Sequence, residues 1–218
     1  MTIAFYEKRA RRSLRAATLV LVDVCRTRVA QEGTPAALAT RPILARCQQA
    51  LAAARNAGVP VVFVHDAREE TGRLLGTESR WLAGFEPRRY ESVVASSGPS
   101  CYASPYFLEI LDGAGRAMLL AGLLGLHGAT ATAADALRYG HRLTLLSDAI
   151  DFDGANLIRA SHAPGQPTPD EKDAQERHAI EAITTAAWLA EITSASPPAR
   201  ADGWQATTLL YRHARTLG

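Results

Sequence analysis

The 218-residue chain is predicted to be an α/β protein: a doubly wound, mostly parallel sheet with helices on both faces. Two observations predict it. Short runs, "ATLVLVDV" (17–24), "VPVVFVH" (59–65), "AMLLAGL" (117–123) and "RLTLLSDA" (142–149), have the unbroken Val/Leu character of strands buried on both sides. Stretches with helical spacing separate them, and strands that alternate with helices build such a sheet.

After the first run, "TRPILARCQQALAAARNAG" offers Thr40 as a cap and Pro42 in a first turn. Ile43, Cys47, Leu51 and Ala54 then recur at helical spacing until Gly58 ends the element. A weaker strand is expected in "YESVVA" (90–95). Helices are expected over "SPYFLEILDG" (104–113), from about His127 to Tyr139, and over 171–192. Residues 163–171 read as a Pro/Gly loop and 194–204 as a linker. Residues 1–195 therefore form one domain, and the tail at 196–218 has too few apolar residues to fold alone, so it packs on the domain or on a neighbouring subunit.

Charge narrows the partners. Lys and Arg (24) nearly cancel Asp and Glu (22), which leaves no uniform basic footprint for nucleic acid. The locally basic "EKRARRSLRAA" reads as a solvated arm or helix. No apolar run reaches the roughly 18 residues of a membrane span, and no secretory signal is visible. Cys25, Cys47 and Cys101 are odd in number and lack paired spacing, which fits a reducing compartment, so a cytoplasmic location is expected. No histidine and carboxylate set has metal-ligand spacing and no glycine-rich nucleotide loop follows a strand, so neither metal nor cofactor is expected.

Ligands of open parallel sheets collect at the C-terminal ends of the strands. "GLLGLHGATATAADA" (122–136) reads as a strand end, a turn and a helix that starts with small residues, and no reactive side chain stands at the turn. Asp23 closes the first apolar run. A carboxyl there is partly desolvated, which raises its pKa and suits it to proton transfer near neutrality; the same residue type also caps loops through backbone amides. Cys25 shares a face with Asp23 if the strand continues, either as a nucleophile activated by a base such as His65 or as a small filler. Cys101 is a rival thiol, and Cys47 belongs to the core face of its helix. His65 and Asp66 end the second strand, while His127 either reaches into the crevice or faces solvent.

In these segments the chain resembles the isochorismatase-like hydrolases, also called cysteine hydrolases, over about residues 15–195. "LVLVDVCRTRV" is similar to their first strand, with Asp23 at the family's Asp and Cys25 at its Gln. "GVPVVFVH" resembles the second strand, "LLGTESRWLAGFEP" the segment that follows it, and "SDAID" (147–151) the segment after the fifth strand. "VVASSGPSCYASPYFLEIL" aligns with V-V-x-K-x-x-Y-S-A-F, which puts Ser96 at the catalytic Lys, Ser100 at the Ser and Tyr102 at the Phe. "GLLGLHGATATAADAL" matches G-x-x-T-x-x-C-V-x-x-T-A-x-D-A at Gly122, Thr132, Ala133, Asp135 and Ala136, with Gly128 at the cysteine.

Of the family's Asp, Lys and Cys, the alignment keeps Asp23 alone. Isochorismatases proper also have Gly at the nucleophile position and cleave a vinyl ether with the Asp as proton donor, but they keep the Lys. The resemblance thus implies acid catalysis by Asp23 on a small organic metabolite without a covalent intermediate, and the Ala- and Arg-rich composition is compatible with a place in secondary metabolism. Cys25, His65, Ser96, Ser100, Tyr102, His127 and Gly128 would line the substrate. Backbone amides at Gly128 would stabilise charge. A homodimer or homotetramer is the expected assembly. The alternatives are a lyase, cyclase or isomerase on the same scaffold, or a catalytically silent binding or assembly protein.

Overall fold

A computed structural model describes residues 17–26, 34–67, 81–154, 157 and 180–194. The elements run β1 (Thr18–Val22), α1 (Pro35–Ala57), β2 (Val61–Asp66), β3 (Ser92–Ser96) and a 3₁₀ turn (Cys101–Ala103). They continue with α2 (Pro105–Gly113), β4 (Ala117–Gly122), α3 (Gly125–Arg138), β5 (Arg142–Ile150), β6 (Glu181–Ile183) and α4 (Thr185–Thr193). All six strands are parallel, in the order β3-β2-β1-β4-β5-β6. The chain works outward from β1 to β3 and then restarts on the other side of β1 at β4. That reversal makes β1/β4 the switch point, where the connections leave in opposite directions and open a crevice at the C-terminal edge.

Alternation along β1 divides the core into two layers. Leu19 and Leu21 pack with Cys47, Ala50, Leu51 and Ala54 of α1 and with Trp188 and Ile192 of α4. Val20 and Val22 pack on the opposite face with Phe107 and Leu111 of α2 and with Ala129, Ala133 and Ala136 of α3. Each fully buried Leu or Phe contributes about 1.5–3 kcal/mol. The sheet is therefore covered on both sides, as the continuous apolar runs require.

Two expected elements differ. Helix α1 begins at Pro35, with Thr34 as the N-cap: its hydroxyl accepts the Ala37 amide at 3.3 Å. Thr40 lies inside the helix and donates to the Ala36 carbonyl at 2.8 Å. Pro42 is tolerated one turn further in, and Gly58 ends the helix with a left-handed φ of 69°. The helix expected over 171–192 is replaced, in its described part, by β6 and the shorter α4. Pairing of Glu181, Ala182 and Ile183 with Thr144, Leu145 and Leu146 of β5 overrides the local helical preference. Thr184 then restarts the chain as a helix, its hydroxyl accepting the Ala187 amide at 3.2 Å. The N-terminal arm, the loop at 163–171 and the tail at 196–218 lie outside the described residues.

Candidate active site

The switch point is closed by a glycine. Gly122 has φ +121°, and a Cβ there would stand 2.2 Å from the Val22 carbonyl oxygen and 2.7 Å from its nitrogen. Only glycine lets β4 press this closely on β1, and the Leu123 amide then donates to the Val22 carbonyl at 2.9 Å. The next residue of β1, Asp23, is thereby delivered to the rim of the sheet.

Asp23 adopts φ +51°, a left-handed conformation that is uncommon for a non-glycine residue, although Asp tolerates it better than most. Its amide donates to the Val64 carbonyl at 2.8 Å, and its Oδ1 accepts the Asp66 amide at 3.1 Å. The carboxyl is thus bonded to the C-terminal end of β2 while the residue is only 7% exposed. The expected alternation does not continue past it, because β1 ends at Val22 and Asp23 turns the chain. Cys25 is instead fully buried in an isolated antiparallel bridge with Trp81, so its expected place on the face of Asp23 does not follow from strand geometry. His65 is buried, its Nδ1 3.2 Å from the Asp66 carbonyl and its ring edge-on to Trp81 at 6.0 Å.

The loop from Ser96 to Ser104 descends along α3. Ser96 Oγ donates inside this loop, with the Ser100 carbonyl at 2.8 Å and the Gly98 carbonyl at 3.1 Å. Ser100 Oγ caps the 3₁₀ turn by accepting the Tyr102 amide at 3.1 Å. Both hydroxyls therefore brace the loop. Tyr102 turns away from the crevice: its ring stacks on Tyr139 at 5.3 Å, meets Phe107 edge-on at 4.9 Å, and its hydroxyl lies 2.8 Å from His141 Nδ1. A tyrosine whose polar tip is occupied in this way does not line a ligand, which corrects the expectation for Tyr102.

The loop lies on the first half of α3. The Cys101 amide donates to Thr132 Oγ1 at 3.1 Å, and the Pro99 carbonyl would be 3.3 Å from a Cβ on Gly128. Burial pushes the Cys101 thiol up to about 12; the Thr132 hydroxyl opposes this shift, and the nearby charge of Asp23 adds to it. Cys47, which donates to the Ala149 carbonyl at 3.3 Å, is likewise pushed up by burial to about 12.

Helix α3 starts one turn before Gly128. In α-helical geometry the Gly128 amide is then the first i→i−4 donor, to Leu124, so the donors that the helix leaves at its start belong to Leu126 and His127 rather than to Gly128. The Gly125 amide is taken by Asp151 Oδ1 at 2.8 Å. His127 is exposed to solvent. Asp151 and His141 are the residues the sequence reading missed. The signal for Asp151 was a carboxylate just past a strand whose end faces a helix start; for His141 there was none short of the fold. Among the described residues, no group of three or more His, Cys, Asp and Glu side chains is placed to hold a metal ion, and no helix is long and apolar enough to cross a membrane.

Comparison with known proteins follows this geometry. The isochorismatase domain model matches residues 17–156. An isochorismatase from Pseudomonas putida KT2440 is similar in structure, with a TM-score of 0.59 and 20% identity over 80% of this chain and 91% of that one. A cysteine hydrolase from Pseudomonas syringae pv. phaseolicola 1448A gives 0.58 and 20% over 84% and 95%. An N-carbamoylsarcosine amidase from Thermoplasma acidophilum gives 0.52 and 21% over 78% and 96%. At such identities the structures share the fold. No curated protein matches the chain.

Proposed function

The chain belongs to the isochorismatase family of hydrolases, and from that premise we propose that it transforms a small organic molecule by proton donation from Asp23, with no covalent attachment to the protein. The observation that carries this reading is the position of Asp23: a buried carboxyl at the switch point, held in a left-handed backbone by bonds to β2. Unusual backbone of this kind persists where the surroundings fix it, and it concentrates at functional sites.

The hydrogen bonding divides the labour of the two oxygens. Oδ1 accepts a main-chain amide, so a proton on the carboxyl sits on Oδ2. We read Asp23 as an acid rather than a base because Ser96 stands where the resemblance places the family's Lys, and burial disfavours charge. Burial pushes the Cys47 and Cys101 thiols up to about 12 and Gly128 carries no side chain, which supports chemistry without those two thiols and without a nucleophile at position 128. Amides of the first turn of α3 would stabilise developing charge, a contribution on the order of 3 kcal/mol. The Asp151 carboxylate on the helix start favours a neutral or weakly charged ligand over a dicarboxylate. We further propose a secondary-metabolic role in the cytoplasm and a homo-oligomeric assembly, which sedimentation velocity checks.

The test is Asp23→Asn. The amide keeps an oxygen for the Asp66 N–H, so the melting temperature should stay within a few degrees while turnover falls by at least about 10²-fold. Turnover in ¹⁸O-labelled water should place the label in the product, and the intact mass of protein quenched during turnover should be unchanged. A covalent adduct, or full activity in Asp23→Asn, overturns the reading. A product without label identifies an elimination or rearrangement instead of hydrolysis.

A further inference from the structure

A second chain of polar side chains lies outside the site. His141 is fully buried at the start of β5, with Nδ1 2.8 Å from the Tyr102 hydroxyl and Nε2 3.2 Å from Asp112 Oδ1 at the end of α2. Asp112 also takes Arg116 Nε at 2.7 Å, and together His141 and Arg116 hold its carboxyl below the usual range. A carboxylate only accepts, so Nε2 carries the hydrogen and Nδ1 accepts from Tyr102 O–H.

We propose that Tyr102 and His141 are positioning residues for the candidate site. They anchor the loop 97–104 at its lower end, and that loop sets the wall of the site at its upper end. The connection is short. Tyr102 follows Cys101 directly, Cys101 lies against Thr132 and within the field of Asp23, and Pro99 lies against Gly128. The loop has three supports: Ser96 and Ser100 bond within it, the Cys101 amide bonds Thr132 on α3, and the Tyr102–His141–Asp112 chain ties its lower end to α2 and β5. The phenol ring packs between Phe107 and Tyr139 whether or not the hydroxyl is present, so what the hydroxyl adds is a fixed depth for the loop along α3. The proposal takes from the reading of Asp23 only the reason why the loop's position matters.

Two of the three buried thiols serve as internal reporters. Cys101 lies in the loop and Cys47 in α1, and both are inaccessible in the closed molecule. Alkylation by iodoacetamide, followed residue by residue with peptide mass spectrometry, measures local opening at Cys101 and wider unfolding at Cys47. Tyr102→Phe should accelerate modification of Cys101 roughly ten-fold, the ratio expected when one buried hydrogen bond is lost. Cys47 should keep its wild-type rate. Asp112→Ala, on the exposed end, removes the acceptor that fixes the tautomer of His141 and should give a smaller rise at Cys101 alone; it serves as the primary variant if Tyr102→Phe does not fold. Equal acceleration at both thiols, or none at Cys101, overturns the proposal. The pH titration of the Asp23 carboxyl, followed by carbon-13 NMR, should also shift in Tyr102→Phe; a merely structural role would leave it unmoved, and that result overturns the proposal. Neither readout depends on turnover, so failure here is distinct from failure of Asp23 as the acid.

Discussion

Gly122→Ala probes the contact that makes the switch point. The added methyl would have to share space with the Val22 carbonyl oxygen at 2.2 Å and with its nitrogen at 2.7 Å, both main-chain atoms of the neighbouring strand. Neither atom has a rotamer to escape into, so β1 and β4 must separate locally. The φ of +121° adds a conformational cost of about 1–3 kcal/mol for a residue with a Cβ. Overpacking adds about 1–3 kcal/mol more. A loss of roughly 2–6 kcal/mol is a large part of the 5–15 kcal/mol typical of a domain. In urea, with a slope of roughly 2–3 kcal/mol per molar, the midpoint should fall by about 1 M or more at unchanged slope. Gly113→Ala is the control: at the end of α2 nothing lies within 4 Å of the new Cβ, and the substitution should be neutral or gain up to about 1 kcal/mol. A Gly122→Ala midpoint within about 0.3 M of wild type would refute the argument from strand contact.

Arg55→Met should cost about 3 kcal/mol, because Arg55 Nε and an Nη each bond the Glu91 carboxylate at 2.8 Å and the Glu91 side chain is only 2% exposed. Burial pushes the Glu91 carboxyl up, but the bonds from Arg55 and the Arg88 amide outweigh it and hold it below 4.5. The stabilisation it gives is therefore complete above pH 4.5 and is lost as pH falls through the depressed folded value, so urea midpoints of wild type and Arg55→Met should converge in acid. Thr184→Ala removes the cap of α4 and should lower stability by about 1 kcal/mol in the same assay, with no change in slope.

Strands were legible wherever both faces of the chain are buried, because continuous Val and Leu leave no other reading: β1, β2, β4 and β5 lie within the predicted runs or within a residue of them. What local pattern could not supply was competition between equally good signals. Thr34–Pro35 and Thr40–Pro42 both spell a helix start, and the chain uses the earlier one because an internal proline at 42 is tolerated. Glu181–Ile183 reads as helix until the open edge of β5 takes it as a strand. The position of Asp23 was legible from its strand, but its left-handed backbone was not, and with it went the inference that Cys25 shares its face. The Ser96 and Ser100 hydroxyls bond within four residues of themselves, but the partner of the Tyr102 hydroxyl lies 39 residues away in sequence, beyond any local pattern.

The departures that the resemblance implies at Ser96 and Gly128 fit each other. Ser96 folds its hydroxyl back onto the loop, and the loop so drawn in places the Pro99 carbonyl where a side chain at position 128 would begin. A site that had merely decayed would leave buried polar atoms orphaned. Among the described residues such atoms include Thr18 Oγ1 and Trp188 Nε1, at the start of β1 and on α4, whereas the hydroxyls of Ser96, Ser100 and Thr132 are all bonded. This coupling is measurable. Gly128→Ala ought to gain about 1 kcal/mol from helix propensity alone. With Pro99 pinned at 3.3 Å the gain should be cancelled or reversed. In a Ser96→Ala background the loop can yield, so Gly128→Ala should recover at least about 0.5 kcal/mol relative to its effect in the wild type. Strict additivity in the double-mutant cycle would mean that Gly128 and Ser96 are energetically independent, and the case for a rebuilt site would lose its physical basis.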